Sequence, residues 1–178
     1  CANAPTMPAD HQPFETPDAR PVEELVLRLT DPRLDTAEGK RRVTATARLD
    51  YAPATSGARR MESPRYTFTA PLGPIEKDDL RWYLESYFLW PVGVFKDRAE
   101  GIERKLPDWG RDLFRAALGA EEAREAFFAW QHTSETAERR FSVLVDDDPP
   151  LREEAAAGTA AGEAAAELLA LPWELLHD

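Results

Sequence analysis

The fold is decided by a stretch whose residues alternate in polarity, Arg42-Val43-Thr44-Ala45-Thr46-Ala47-Arg48-Leu49-Asp50-Tyr51. Its valine, alanines and leucine share one face, and its threonines, Arg48 and Asp50 share the other. Successive side chains of a strand point to opposite sides of a sheet, so a period of two is typical of a half-buried β-strand. The stretch therefore predicts a strand with one face turned to a core.

Two further stretches extend this strand into a sheet. Residues 24–30 are rich in leucine and valine, and residues 65–69 form a third short candidate strand. Asp31-Pro32 and Ala37-Glu38-Gly39 supply turn residues between the first two runs. We expect a small antiparallel sheet.

A helical pattern follows the sheet. Residues 74–79 place proline and acidic side chains in a first helical turn, where the fixed φ and the helix dipole favour them. The positions that then form one apolar stripe are Leu80, Tyr83, Leu84, Tyr87 and Phe88. Further helices are predicted over about residues 95–106, after Pro107, and over about residues 121–131. Together with the sheet they predict an α+β domain.

The first helix carries a dense aromatic band that includes Trp82 and ends at Trp90. Helical spacing favours the core for most of the band. Trp82 and Trp90 fall away from the apolar stripe, so we predict that they contact another domain or a partner. A core position for both remains the alternative.

Composition limits the classes of partner. The chain has 178 residues and a formal net charge of −11, which disfavours binding to nucleic acid or to an anionic membrane by bulk attraction. A single cysteine, Cys1, excludes an internal disulfide and fits a cytoplasmic location. The alternative for this residue is a lipidated first residue of a mature bacterial lipoprotein. No phosphate-binding loop or zinc-binding helix motif is present, so no cofactor is predicted.

Few residues suggest chemistry. His11, His132 and His177 are isolated in the sequence, and we expect surface or capping roles for them and no catalytic pair with Cys1. The three acids Asp146-Asp147-Asp148 follow a short apolar strand, a position where α/β sheets place their ligands. They can bind a metal, attract a basic group of a substrate, or form a solvated turn, and the following Pro149-Pro150 favours the turn.

The last stretch, Leu168-Leu169-Ala170-Leu171-Pro172-Trp173-Glu174-Leu175-Leu176-His177-Asp178, is strongly apolar. Each exposed Leu or Trp forfeits about 1.5–3 kcal/mol of burial energy. We therefore expect this stretch to pack against polypeptide outside the 178 residues. Trp173 is the third predicted interface residue, wedged between a helix and the sheet or a neighbouring domain.

The strand Phe141–Val145, the Asp-Asp-Pro turn and the string Leu171–Leu176 together resemble the opening of a CHAT domain, a bacterial family of caspase-like cysteine peptidases. The resemblance implies the first strand and helix of a caspase-like α/β sandwich. The catalytic His and Cys of that family lie on later strands, so no catalytic residue is carried over. By analogy with the family, Asp146 to Asp148 would attract a basic side chain of a protein substrate.

The organisation that follows has three parts: a flexible arm over residues 1–21, an amino-terminal β-then-α domain over residues 22–135, and the start of a CHAT domain over residues 136–178. The expected function is regulation or scaffolding of a protease in a bacterial defence or cell-death system, with the remainder of the protease and a protein substrate as partners. The alternative is a non-catalytic acidic adaptor that uses a caspase-like element only as a scaffold.

Overall fold

The computed structural model describes residues 20–37, 40–54, 58–132, 137–146 and 155–177. The chain has an α+β fold in which helices cover one face of a mixed five-stranded sheet. The strands are β1 (Val22–Ala37), β2 (Lys40–Ala52), β3 (Met61–Glu62), β4 (Tyr66–Thr69) and β5 (Glu138–Asp146). The helices are α1 (Pro74–Glu85), α2 (Val94–Glu103), α3 (Leu106–Leu118), α4 (Arg124–Gln131) and α5 (Ala155–Leu169).

The predicted strand over residues 42–51 is confirmed and lies inside the sheet as β2. It pairs antiparallel with β1, with Leu27 opposite Leu49, and its other side pairs antiparallel with β3 and β4. On the far side of β1, β5 runs parallel to it from the Val22–Glu138 pair to the Thr30–Asp146 pair. The short strand predicted over residues 65–69 is β4.

The turn expected at Asp31-Pro32 is wrong, because β1 continues through these residues to Ala37. The register between β1 and β2 shifts between Thr30 and Arg33, which is the mark of a β-bulge. Asp31 takes a left-handed backbone conformation with φ 55°, which short polar residues tolerate best, and its carboxylate accepts a hydrogen bond from the Arg33 side chain at 2.5 Å. The bulge absorbs the turn-forming pair without ending the strand.

The core lies on one face of the sheet. Leu25, Leu27, Leu29, Ala47 and Leu49 on this face are all fully buried. Helices α4 and α5 contact β1 and β2 from this side, and α3 contacts β4. The opposite face carries the charged and hydroxyl side chains of the same strands, so the alternation in the sequence corresponds to a covered face and an open face.

Strand β5 is less buried than the sequence predicts. A parallel strand of a caspase-like sheet is buried on both faces, and the apolar run Phe141–Val145 predicts such burial. In the structure β5 is the terminal strand of the described sheet, and the side chain of Leu144 on its open face is 44% exposed. Whether residues 136–178 begin a separate domain stays a prediction; β5 itself shares the sheet of β1.

The apolar stripe predicted along the first helix is only partly buried. Helix α1 ends at Glu85 and the chain tightens into a 3₁₀ turn over Tyr87–Leu89, which breaks the helical spacing. Leu80 is buried, whereas Leu84 is 60% exposed and Phe88 is 68% exposed. The stripe therefore contributes one residue to the core and leaves its second half uncovered.

The break predicted at Pro107 is confirmed as a restart, since α2 ends at Glu103 and Pro107 lies in the first turn of α3, where its missing N–H costs nothing. Tyr66 of β4 fixes α3 to the sheet by donating its hydroxyl to the carbonyl oxygen of Ala117. Burial, aided by the negative charge of Glu122, raises the pKa of Tyr66, so the hydroxyl remains a donor.

Candidate functional site

The C-terminal stretch folds into a compact turn on this chain. Helix α5 ends at Leu169, and residues Trp173–Leu175 form a 3₁₀ turn. The indole Nε1 of Trp173 donates to the carbonyl oxygen of Leu168 at 3.1 Å, and its ring lies 5.8 Å from that of Phe68. Hereafter, residues 168–177 are called the C-terminal turn.

The expectation that other polypeptide covers this stretch is wrong for its central residues. Leu168 is fully buried and Leu171 is 4% exposed, and both belong to the core that the sheet and helices form. Pro172 is buried, and Trp173 is half-buried against the same core. Leu169 is the exception, with 57% of its surface exposed.

Gly110 of α3 allows the C-terminal turn to approach this closely. A Cβ atom at position 110 would lie 2.2 Å from the carbonyl oxygen of Leu175 and 2.3 Å from Nδ1 of His177. The first of these atoms belongs to the backbone and cannot rotate away. A glycine is therefore required here for packing, although glycine lowers helix stability at a helix interior.

A cavity of about 330 Å³ opens beside the C-terminal turn, at the β5 edge of the sheet. Seven of its lining residues are apolar or aromatic and three are polar. Phe114 and Phe127 meet edge to face in its wall, with ring centroids 5.6 Å apart. The complete lining is Phe114, Leu118, Phe127, Trp130, Gln131, Arg139, Phe141, Trp173, Leu176 and His177.

The polar groups of the cavity stand around this apolar wall. Arg139 donates from Nη1 to the carbonyl oxygen of Gln131 at 3.1 Å, and its guanidinium lies 6.0 Å from the ring of Trp130. His177 hydrogen-bonds the carbonyl oxygen of Leu175 through Nδ1 at 3.0 Å. The lining contains neither a carboxylate nor a thiol or hydroxyl nucleophile. The cavity can therefore hold an apolar side chain beside a cation, and its lining offers no group for nucleophilic chemistry.

Ion pairs fix α5 to the rest of the molecule. Glu167 accepts hydrogen bonds from Lys77 of α1 and Arg41 of β2, each at 2.8 Å, and Arg41 also pairs with Glu163. Burial opposes ionisation of Glu167, but the hydrogen bonds and charges of Lys77 and Arg41 outweigh it and hold the pKa of Glu167 below its ordinary value. Helix α5 thus connects α1, β2 and the C-terminal turn.

Of the three acids predicted as a substrate site, only Asp146 lies within the described residues. It ends β5 on the open face of the sheet, where it accepts a hydrogen bond from Nη1 of Arg28 at 3.0 Å. Arg28 also donates to Asp50 at 3.2 Å, and the carboxylates of Asp146 and Asp50 raise its pKa. Asp146 therefore already has a cationic partner from its own sheet.

The two tryptophans predicted as interface residues of the aromatic band differ in their environment. Trp82 is half-buried, and the guanidinium of Arg98 lies 4.1 Å from its ring centroid. Trp90 is 67% exposed. Exposure of this size allows Trp90 to contact a partner, whereas Trp82 is covered by a side chain of the same chain.

Of the isolated histidines, His132 and His177 lie within the described residues. His132 is exposed at the end of α4, where Nδ1 hydrogen-bonds the carbonyl oxygen of Phe128 at 2.9 Å. His177 is exposed beside the cavity. Cys1 and His11 lie outside the described residues, as does most of the predicted arm. No group of three or more potential metal ligands occurs in the described part of the chain.

Sequence reasoning missed the residues that shape the cavity. In the sequence, Gly110 looks like an ordinary helix-destabilising residue. The need for a glycine comes from a turn that is 65 residues away along the chain. Arg139 precedes the apolar run of β5, and only its alternation with Phe141 and Val143 signals that it faces the helices. No short motif joins α3, α4 and the C-terminal turn.

No family model, curated protein or solved structure matches the chain. None of the helices in the described ranges is both long and apolar enough to cross a bilayer.

Proposed function

We propose that this chain is the amino-terminal regulatory and scaffold part of a bacterial CHAT-type caspase-like cysteine protease, which cleaves a protein partner in a defence or cell-death system. The support begins with the string Leu171–Leu176, which resembles that family. Cleavage itself belongs to a catalytic His and Cys on later strands, and no described residue is assigned to it.

The main support for the proposal is the position of the string Leu171–Leu176, which lies where α5, the sheet and α3 meet. Leu171 and Pro172 are buried, Trp173 contacts Phe68 of β4, and the carbonyl of Leu175 lies against Gly110 of α3. The same few residues thus hold α5 to the sheet and to the helical layer. Such a position suits a scaffold, because the string packs against α5, the sheet and the helical layer at once.

The β5–α5 unit shares one feature with an α/β sandwich, which is a parallel strand followed by a helix that packs on the same sheet. Strand β5 runs parallel to β1, and the helix that follows it packs on β1, β5 and β2. The outer edge of β5 has no strand partner among the described residues, so its backbone groups are available to a further strand. This supports a continuing sheet beyond β5.

The acids after β5 keep the substrate role proposed for them, with one refinement. Since Asp146 pairs with Arg28, attraction of a basic substrate side chain would fall to Asp147 and Asp148, which lie outside the described residues. Replacing both by Asn in the complete protein should weaken cleavage after Arg or Lys. Unchanged selectivity would reject this role.

The coding sequence that follows Asp178 gives the first test. The proposal predicts a downstream strand that ends in His and a later strand that ends in Cys. Labelling of the complete protein by an electrophilic cysteine-peptidase probe should then depend on that Cys, and Trp173→Ala should weaken it while the exposed Leu169→Ala should not. A reading frame without these two residues would overturn the proposal.

A non-catalytic adaptor is the second candidate, and one observation favours it. Seven large apolar residues between Leu84 and Phe95 are exposed, including Trp90 at 67%. A cluster of exposed apolar residues on an acidic chain supports a role as a protein-interaction module. The adaptor predicts no labelling by the peptidase probe and no effect of Trp173→Ala beyond stability.

A further inference from the structure

The segment of the described chain that is richest in exposed large apolar residues runs from the end of α1 to the start of α2. Seven of the eleven such residues in the described chain fall in this one segment. We call these seven the Leu84–Phe95 patch: Leu84, Phe88, Leu89, Trp90, Val92, Val94 and Phe95, with exposures from 44% for Phe95 to 75% for Val94. Scattered apolar residues are normal on a protein surface, but seven exposed ones within twelve successive residues are unusual.

The patch is held in place by a layer of aromatic rings beneath it. Tyr83 and Tyr87 stack with centroids 5.8 Å apart, and Trp82 lies 5.9 Å from Tyr87 and 6.3 Å from Phe95. Arg98 covers Trp82 at 4.1 Å and pairs with Asp79 of α1 at 2.8 Å. The connection between the two helices is therefore braced by side chains from both.

The backbone of the segment is ordered as well. The amides of Leu89 and Trp90 donate to the carbonyl oxygens of Ser86 and Tyr87 at 3.1 and 3.0 Å. Gly93 adopts a φ of 57°, which glycine takes without strain, and α2 begins directly after it. An apolar surface that is already ordered loses little conformational entropy on binding, which favours association.

The size of the patch matches a protein interface. Its seven residues expose on the order of 800 Å², which is about the area that each partner contributes to a standard stable interface. The largest apolar patch of a typical monomer covers about 300–600 Å². The exposed area is therefore of the size that specific pairing needs when all seven side chains are buried in the contact.

The charges of the segment favour a second copy of the chain over other partners. The whole chain carries −11, so two copies repel each other over most of their surface. Residues 84–98 carry two acids, Glu85 and Asp97, and two bases, Lys96 and Arg98, and are neutral overall. A two-fold contact pairs one surface with itself, and a segment without net charge can make such a contact without repulsion between like charges.

We propose that the Leu84–Phe95 patch is the interface of a two-fold symmetric homodimer of this chain, with the side chains of Phe88 and Trp90 as its anchors. Large aromatic residues at the centre of an interface contribute most of the binding free energy. The inference does not depend on the protease proposal, since none of these residues belongs to β5, α5 or the C-terminal turn.

Sedimentation velocity over roughly 0.1–100 µM protein tests the proposal. The wild-type chain should change from monomer to dimer within this range. The double variant Phe88→Ser/Trp90→Ser should raise the dissociation constant at least about 100-fold. The matched control Leu144→Ser/Leu169→Ser removes two leucines that are 44% and 57% exposed outside the patch, and it should dimerise like the wild type.

Cross-linking gives a second readout that does not depend on removing apolar surface. In a Cys1→Ser background, Val92→Cys should form covalent dimers with a short bismaleimide reagent, and Leu169→Cys should not. Circular dichroism confirms that each variant is folded, which is expected because the altered side chains are exposed.

Three results would overturn the proposal. The first is a wild-type chain that stays monomeric over the whole range. The second is a dimer that the patch variant leaves intact or that the control variant disrupts. The third is a monomer that binds zwitterionic lipid vesicles through Trp90, which would assign the patch to a membrane surface.

Discussion

The C-terminal turn and the Leu84–Phe95 patch are similar in sequence and opposite in burial. Each follows the end of a helix, and each combines leucines with a Trp and a Pro in adjacent positions. The C-terminal turn enters a prepared site, because Gly110 admits its backbone and Phe68 contacts its Trp173. The rings of Trp82, Tyr83 and Tyr87 lie beside the patch, and Trp90 remains 67% exposed. Apolar composition thus predicts that a segment will be buried. Whether the same chain or another molecule buries it depends on the surface that the segment meets.

The largest effect is expected from two neighbouring leucines of α5. Leu168 is fully buried and Leu169 is 57% exposed. Leu168→Ala should lower the free energy of unfolding by about 3 kcal/mol, because it leaves a cavity in the core. Leu169→Ala should change it by less than about 0.5 kcal/mol.

Urea unfolding of both variants checks this prediction, and each serves as the control of the other. The pair also distinguishes burial of the apolar stretch by this chain from burial by other polypeptide. A large loss of unfolding free energy at both positions would mean that α5 is packed differently. A small loss at both positions would mean that the C-terminal turn does not contribute to the core.

Gly110 should give the next largest effect. Gly110→Ala gains about 1 kcal/mol of helix propensity, but the new Cβ would lie 2.2 Å from the carbonyl oxygen of Leu175. The clash should outweigh the gain and leave a net loss of about 1–3 kcal/mol. Thermal unfolding measures the difference.

Gly162 is the matched control for this substitution. It lies within α5, and no atom is within 4 Å of the position of its Cβ. Gly162→Ala should therefore stabilise the protein by up to about 1 kcal/mol. Stabilisation by both substitutions would contradict the close approach of the C-terminal turn to α3.

The smallest effect concerns the ion pairs of α5. Because the pKa of Glu167 is lowered in the folded state, its stabilising contribution is present above the ordinary value of 4.5 and is lost as the pH falls through the lowered value. Glu167→Gln should reduce stability near neutral pH by less than about 1 kcal/mol, the usual range for partly exposed pairs. The difference from the wild type should vanish in acid.

Urea unfolding at pH values from neutral to acid measures this dependence. Glu163→Gln is the control, since Glu163 shares Arg41 but is more exposed, with 55% of its side chain accessible. Its effect should be smaller at every pH. A Glu167→Gln variant that is more stable than the wild type near neutral pH would show that burial, and not Lys77 and Arg41, governs this carboxyl.

The fold was predicted from the sequence wherever the pattern is local. The period-two stretch of β2, the helix restart at Pro107 and the apolar run of β5 each correspond to an observed element. The bulge at Asp31 was missed, because a strand partner overrides the turn preference of Asp-Pro. The parallel pairing of β5 with β1 joins residues that are 116 positions apart, so no local pattern reports it.

The candidate sites were less predictable than the fold, because they combine segments that are far apart in sequence. The exposure of Trp90 agrees with its place outside a helical stripe, which is a local observation, and its contact with a partner stays a prediction. The cavity and the role of Gly110 depend on how α3, α4 and the C-terminal turn meet, and these segments are far apart in sequence. The expectation that outside polypeptide covers Leu168 and Leu171 was wrong, since composition alone does not identify the covering surface.

The most direct test of the contrast is hydroxyl-radical footprinting of Trp173 and Trp90, read by mass spectrometry on dilute protein. With the C-terminal turn packed on Phe68 and Gly110, Trp173 should react much more slowly than in the unfolded chain, whereas Trp90 should react at nearly the unfolded rate. Equal and rapid oxidation of both tryptophans would contradict the conclusion that this chain itself covers its C-terminal turn.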